Sequence, residues 1–389
     1  MAKELAHFIN FAKLKDTSLE FNDITVLAGK PSTGKSYVMK FIYAIEEATY
    51  LVDKDYWNNY KSIWSFLEGF YYYDKNNQLP QSTLLYEMLE NSKYQELLEF
   101  IENNNFDLHN KDKAIKFLQM IINKQNDIKY YLNNISKSIF VNLNQISKKF
   151  EYQSKEILFK FDNNKILVDR EIKYTIENIQ EPIFVETPLI LEFKFFMRRE
   201  KGKVPYHIES LLNVLDTDYS FTDIEQDRFI QNFTKKAKEI ISGDIESRGD
   251  SFIYRTDAKN YDILNTSSGT KSIGLLQYLV TNKALKKGSI LFWEEPEVHL
   301  HPQWQLKMID LFIELMRAGV KIVFSTHSPY MADYLNAISQ KNGFKDRVSF
   351  NLLKEQDGIV ENIILSDVNW KEIQAELLDP LEEIMWEYI

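Results

Sequence analysis

Apolar and polar positions run through the chain in two rhythms that change over at recognisable places. Residues 5–28 predict short strands joined by turns, and Ile24–Ala28 (ITVLA) is a compact β-branched run suited to a buried strand. Ser36–Ala48 (SYVMKFIYAIEEA) then takes helical spacing. From about residue 55 to 160 Asn, Lys, Tyr and Phe dominate, Gly and Pro nearly vanish, and apolar residues recur every three or four, most clearly over Asn110–Ile135. Strand-like runs return at Glu156–Phe161, Lys165–Ile176 and Pro182–Leu191. The spacing predicts helices over 205–216 and 222–242, strands at Ser251–Thr256 and Tyr261–Asn265, and a helix after Gly269. Strand 289–293, helix 303–317, strand 320–325, helix 328–340, strands 348–353 and 359–365 and a helix from 369 complete the pattern. Strands alternating with helices imply an α/β fold with a mostly parallel, helix-covered sheet. The change of character assigns 1–54 and 151–389 to one α/β domain and 55–150 to a helical insertion.

The sharpest motif falls where strand gives way to helix. Gly29–Ser36 (GKPSTGKS) fits G-x-x-x-x-G-K-[ST]. In that setting backbone N–H groups wrap a β-phosphate at a helix N-terminus, where the helix dipole favours an anion. Gly29 and Gly34 permit close approach and positive φ, while Lys30, Pro31, Ser32, Thr33 and Tyr37 complete the loop and its exit. Lys35 is placed to reach the β- and γ-phosphates of ATP, and Ser36 to put its hydroxyl on Mg²⁺.

A phosphate loop of this kind needs acids at the end of a neighbouring strand. The run Ser289–Trp293 (SILFW) ends abruptly in Glu294 and Glu295, then Pro296 and Glu297. Alone it reads equally well as a surface turn. Beside the phosphate loop, Glu294 suits the metal and Glu295 the attacking water, as general base. Pro296 forbids further strand pairing. Val320–Pro329 (VKIVFSTHSP) is a second β-branched run, and its His327 would face the ligand crevice at the carboxyl end of a strand, within reach of a γ-phosphate. Thr266–Ser272 (TSSGTKS) precedes a helix; Ser267, Ser268, Gly269 and Thr270 read either as ordinary capping or as a second phosphate-binding helix terminus.

In this order the four pieces resemble the ATPase head of ABC-type and SMC-like proteins: Walker A, signature, Walker B and switch histidine. Glu294–Pro302 (EEPEVHLHP) and Ser267–Thr270 (SSGT) are more specifically similar to bacterial AAA/ABC-like ATPases sharing the overcoming-lysogenization-defect (OLD) head. The resemblance covers about 5–50 and 150–365 and implies a P-loop ABC-type head with an inserted helical region. Two departures stand out: Glu294 replaces the usual metal-side Asp, and Ser268 takes the first Gly position of the signature. The Q-loop glutamine stays open among Gln78, Gln81 and Gln180.

The resemblance also implies a composite site, with Gly29–Ser36 of one protomer and Ser267–Thr270 of another closing on ATP, so a homodimer or higher oligomer. It points to an effector partner encoded by a neighbouring gene, a nuclease being one class, in anti-phage defence. Three other classes compete: an SMC-like DNA-repair or DNA-structure ATPase, a nuclease fused to its ATPase, and an ABC transporter subunit. No long heptad arm supports the first, and only about 60 residues follow His327, too few for the second. The usual Gly pair of the last is missing.

Composition narrows this reading. With 44% hydrophobic residues the chain can bury a core, and without cysteine it has neither disulfides nor thiolate metal sites. No apolar run resembles a leader or a membrane span, so a cytoplasmic protein without membrane contact is expected. A net charge of −10 argues against a uniformly basic DNA binder. Yet Asp107–Lys160 carries ten Lys against five Asp or Glu, with Phe117, Tyr130, Tyr131, Phe140 and Phe150 among them. That segment reads as a solvated helical bundle or as a docking surface for a protein or, less readily, DNA.

Overall fold

The computed structural model describes residues 4–74, 94–103, 115, 118–119, 127–140, 143–155, 157–163, 165–170, 180–199, 203–217, 224–365 and 369–378. The chain divides into two compact units, Met1–Glu46 with Ile135–Ile389, and Glu47–Asn134.

The larger unit is built on a mixed sheet. Its strands are β1 (Glu4–Phe11), β2 (Leu14–Phe21), β3 (Ile24–Ala28), β4 (Lys149–Gln153), β5 (Ile157–Asp162), β6 (Lys165–Arg170), β7 (Ile183–Val185), β11 (Ile290–Trp293), β12 (Lys321–Thr326), β13 (Val348–Gln356) and β14 (Ile359–Ile364). They lie in the order β6-β5-β4-β1-β2-β14-β13-β3-β12-β11-β7. The run β13-β3-β12-β11-β7 is parallel, whereas β6 to β2 form an antiparallel wing. A small antiparallel sheet of β8 (Asp244–Arg248), β9 (Ser251–Arg255) and β10 (Asn260–Asp262) stands apart.

Register places the chemistry. Ala28 pairs with Thr326 and Leu352, while Trp293 pairs with Phe324 and Val185. Parallel strands in such register end together, so the segments after Ala28, Val185, Trp293 and Thr326 emerge along one sheet edge. That carboxyl edge is where ligands sit in open α/β sheets. All five residues of β3 are buried, as the ITVLA pattern predicts.

The helices are α1 (Lys35–Asp74), α2 (Tyr94–Asn103), α3 (Asp127–Phe140), α4 (Leu143–Ile146), α5 (Ile190–Arg199), α6 (Tyr206–Asp216), α7 (Ile224–Ile241), α8 (Ser268–Thr281), α9 (Pro302–Arg317) and α10 (Pro329–Lys341). Helix α1 is fixed by Phe41, whose ring lies 5.0–6.1 Å from those of Phe8, Phe11, Phe150, Tyr152 and Phe159. Offset and edge-on aromatic pairs of this kind add to plain area burial. On the parallel half, Trp293 and Phe324 pack against Phe312 of α9, with Met308 and Leu311 buried alongside.

In the smaller unit the labelled elements are helical, and buried Leu97 and Ile101, then Ile128 and Leu132, sit four apart as helical packing requires. Lys111, Lys113, Lys116 and Phe117 lie outside the described residues. Among the described residues no helix is long and apolar enough to cross a membrane.

The sequence pattern misplaces several elements. The apolar run Pro182–Leu191 is strand only over Ile183–Val185. Thr187 Oγ1 then accepts the Leu189 N–H at 3.2 Å, Pro188 has no N–H to offer a ladder, and α5 begins at Ile190. Helix α1 does not stop at Ala48 but continues to Asp74. Strands β4 and β8 lie where no strand is expected, since Lys149–Gln153 falls in the helix-like composition and Asp244–Arg248 is mostly polar.

Candidate functional site

The loop between β3 and α1 needs glycine at both ends for different reasons. A Cβ on Gly29, at φ 142°, would lie 2.3 Å from the Leu353 carbonyl oxygen. Gly34, at φ 92°, meets nothing within 4 Å, so only its backbone conformation calls for glycine. Between them Ser32 also takes a left-handed conformation, at φ 65°. Thr33 donates its hydroxyl to the Lys30 carbonyl at 3.0 Å. Lys30 pairs with Glu376 at 3.7 Å, and Pro31, Ser32 and Ser36 are exposed. The N–H groups of the first turn of α1 have no intrahelical acceptor and face the loop.

Lys35 is buried within this loop. Its ammonium donates to the carbonyls of Gly29 (2.9 Å) and Lys30 (2.8 Å) and to Thr33 Oγ1 (3.4 Å). Burial lowers its pKa to about 8, opposed by the charges of Glu295, Glu297 and Glu294.

The acid strand sends its first two carboxylates to different places. The Glu294 N–H still donates to Val185 O at 2.9 Å, so that residue continues the sheet. Glu295 breaks from it in a left-handed conformation, φ 43°, with its N–H donated to Ser325 Oγ at 3.2 Å. The Glu294 side chain is only 10% exposed and the Glu295 side chain 39%. Glu294 lies 3.8 Å from Lys40 and within reach of the Ser36 hydroxyl; burial raises its pKa against the pull of Lys40. Its Oε1 is buried without a hydrogen-bond partner. Glu295 Oε1 lies 3.1 Å from His327 Nε2.

His327 stands just past β12, as its strand-end position predicts. Burial, and then the Lys35 charge, lower its pKa, so the ring is neutral at pH 7 and its Nε2 donates to Glu295. Its N–H donates to Glu297 Oε1 at 2.6 Å. Burial raises the Glu297 pKa, and the other oxygen of that carboxylate has no partner.

Ser267 caps α8: its Oγ accepts the Thr270 N–H at 3.2 Å and lies 2.8 Å from Thr270 Oγ1. Ser268 opens the helix, and Gly269 packs so closely that a Cβ would come 3.1 Å from His299 O. Buried Lys271 anchors this end to Thr266 O (2.7 Å) and Glu192 (2.5 Å). Among the described residues no hydrogen bond or ion pair joins Ser267–Thr270 to Gly29–Ser36.

Thus the sheet edge gathers Gly29–Ser36, Glu294, Glu295 and His327, while the α8 cap makes no bond to the loop. Tyr37 is exposed at the loop's exit, its ring 6.1 Å from that of Phe140. Gln78 and Gln81 lie outside the described residues; Gln180 precedes β7, whose end is occupied by Glu186. Sequence reasoning assigned nothing to Glu186, Lys40, His207 or Glu297. Glu186 had a legible signal: like Glu294, it is an acid ending an apolar run before a proline. Lys40 and His207 had none.

A magnesium ion fits the donor set. Ser36 and the unpartnered Glu294 oxygen offer the one hydroxyl and one carboxylate that Mg²⁺ takes from a phosphate-loop protein, its other positions going to waters and phosphates. Among the described residues no cluster of three or more His, Asp or Glu could form an all-protein metal cage.

Several solved structures are similar in outline at low identity. An SMC head bound to the C-terminal winged-helix domain of ScpA shares 10% identity, covering 96% of this chain and 100% of its own, with TM-score 0.48. The SMC head domain from Thermotoga maritima shares 10% over 94% and 100%, TM-score 0.40. An ATP-binding cassette of an ABC transporter in its ADP conformation shares 12% over 97% and 96%, TM-score 0.35. No curated protein matches significantly. The family model described as "AAA ATPase domain" matches residues 8–332. Spanning both the loop at Gly29–Ser36 and the acid strand, that match covers most of the sequence, and the chain therefore belongs to the AAA ATPase domain family.

Proposed function

We propose that the chain is a Mg²⁺-dependent ATPase subunit that uses ATP binding and hydrolysis at a dimer of heads to switch a partner effector. The observation that carries the hydrolytic part is Glu295: water-accessible, 3.1 Å from His327 Nε2, and close enough to Lys35 to perturb its charge. The loop N–H groups and Lys35 hold the β- and γ-phosphates. Glu295 takes a proton from the attacking water as the water oxygen bonds to the γ-phosphorus and the bridging oxygen leaves with ADP. Glu297 is not the base in this reading, because its carboxylate is buried and already accepts the His327 N–H. On ATP binding the single N–H of the neutral His327 ring, on Nε2, passes from Glu295 to the γ-phosphate, which leaves Glu295 free for the water. Magnesium, held beside Ser36 and Glu294, supplies charge neutralisation on the phosphate oxygens.

The exposed Ser267 cap makes no bond to the loop of its own chain, which supports its service to a second protomer's γ-phosphate. A helix N-terminus brought there adds N–H donors and a hydroxyl, and hydrolysis removes the group that holds them. Mixing Ser267→Arg with Lys35→Ala chains tests this: each is inactive alone, and a mixed dimer holds one intact site. Restored ATP turnover is expected, and a verified heterodimer without it rejects the shared site.

The EEPEVHLHP and SSGT motifs favour the OLD-type branch, and through that resemblance anti-phage defence with an effector from a neighbouring gene, a nuclease for instance. The alternative is an SMC-like DNA-repair or DNA-structure ATPase. Reversing charge at Lys111, Lys113 and Lys116, which leaves β4 and Phe150 in place, separates them. Lost co-purification with the neighbouring gene product supports the first, whereas lost salt-dependent DNA binding supports the second.

A further inference from the structure

We propose that Lys40 is a positioning residue for the metal-side acid Glu294, itself held in place by Glu186 and His207. The inference rests on the reading of Glu294 and Ser36 as the magnesium side of the site. Ser36 and Lys40 are four apart on α1, so they project from one face of the helix that begins at the phosphate loop. The Lys40 ammonium lies 2.6 Å from Glu186 Oε1 and 3.8 Å from Glu294 Oε2, with its side chain 17% exposed. Glu294 is therefore bracketed: Lys40 attracts one oxygen, and the other, Oε1, stays buried and unpartnered. An ammonium attracting one oxygen of a carboxylate favours the orientation that presents the other.

Lys40 is fixed in turn. Glu186 ends β7, next to the acid strand, and its second oxygen lies 2.7 Å from Nε2 of His207 on α6. That histidine is 1% exposed and lies edge-on to Phe184, ring centroids 5.1 Å apart. Its hydrogen bond to Glu186, together with Lys40, brings the Glu186 pKa down to about 2, so the anchor is ionised at every pH of interest. Burial holds the His207 pKa low, so the neutral ring donates through Nε2. Two carboxylates around one ammonium leave one negative charge uncompensated, and a cation beside Ser36 matches it. Partners behind a metal ligand typically change metal affinity by about 10–100-fold when lost.

The test is a Mg²⁺ titration of fluorescent ATP-analogue binding, with Mn²⁺ binding in the presence of ADP followed by electron paramagnetic resonance. Lys40→Met should bind the analogue normally without metal but need about tenfold more Mg²⁺ or Mn²⁺. Lys40→Arg, which keeps the charge, should recover most of the shift. If Lys40→Met does not fold, Glu186→Gln is read in its place and should shift the titration the same way. A metal titration matching that of the wild type, in whichever variant folds, overturns the proposal. A wild-type chain that binds analogue and metal independently overturns the magnesium reading beneath it.

Discussion

Replacing Glu295 with glutamine removes the proton acceptor and leaves the geometry around it intact. The backbone there is left-handed, φ 43°, a conformation costing about 1–3 kcal/mol that glutamine meets equally. The N–H bond to Ser325 Oγ at 3.2 Å involves no side-chain atom of residue 295, and glutamine Oε1 can still accept from His327 Nε2. Folding and ATP affinity therefore stay near wild type. Hydrolysis loses its base, about a 10²–10⁴-fold effect. That corresponds to about 3–5 kcal/mol added to the barrier. Single-turnover hydrolysis of labelled ATP, read beside analogue affinity, isolates that step from binding and release. A rate within about threefold of wild type, far inside the span expected for a lost base, would refute the assignment. If Glu297→Gln alone abolished turnover, the base would be the buried acid instead.

Lys35→Ala should abolish tight nucleotide binding, measured by analogue titration, since the ammonium among the loop carbonyls is the buried charge nearest the phosphates. The wild-type chain should bind nucleotide progressively worse as pH rises above about 8, because phosphate selects the ammonium and Lys35 loses its proton near 8. The same depressed pKa makes the cost of burying the ammonium fully present below pH 8. That cost is relieved as pH rises through 8 towards 10.5, so the ligand-free protein gains stability over the interval where it loses affinity. Gly29→Ala should destabilise the loop and remove nucleotide binding, because its Cβ would lie 2.3 Å from a backbone oxygen; unchanged thermal unfolding and affinity would contradict the close approach of β13.

Much of the site is legible because its determinants are local. ITVLA, the glycines around Lys35 and the break from SILFW into acids each encode a strand, a turn or a strand end within ten residues. Their convergence follows from parallel register, which the alternation of strands and helices implies. Other features are not local. That Lys40 should face Glu186, and Glu186 His207, depends on β7 taking the sheet edge beside β11, which no spacing announces. The apolar run through Pro182–Leu191 misleads for the opposite reason. Its pattern is that of a long buried strand, but Thr187 and Pro188 impose a turn and the remaining apolar residues pack as a helix. The antiparallel wing is obscured at β4, where Lys149–Gln153 is polar on one face and follows a helical stretch.

The neighbours of β3 also set the order in which this protein can be made. Ile24–Ala28 is flanked by Lys321–Thr326 and Val348–Gln356, so the strand leading into the phosphate loop finds both partners about 300 residues later in the chain. On a ribosome adding about 5–20 residues per second, ITVLA waits many seconds as an apolar strand without its sheet. Such long-range pairing slows folding and leaves β edges open to wrong partners. The Leu353 carbonyl that crowds Gly29 arrives in the same late segment. The loop at Gly29 thus reaches its final shape only after Leu353 has been made, and a nascent chain released before that would carry the phosphate-binding sequence without the walls that shape it.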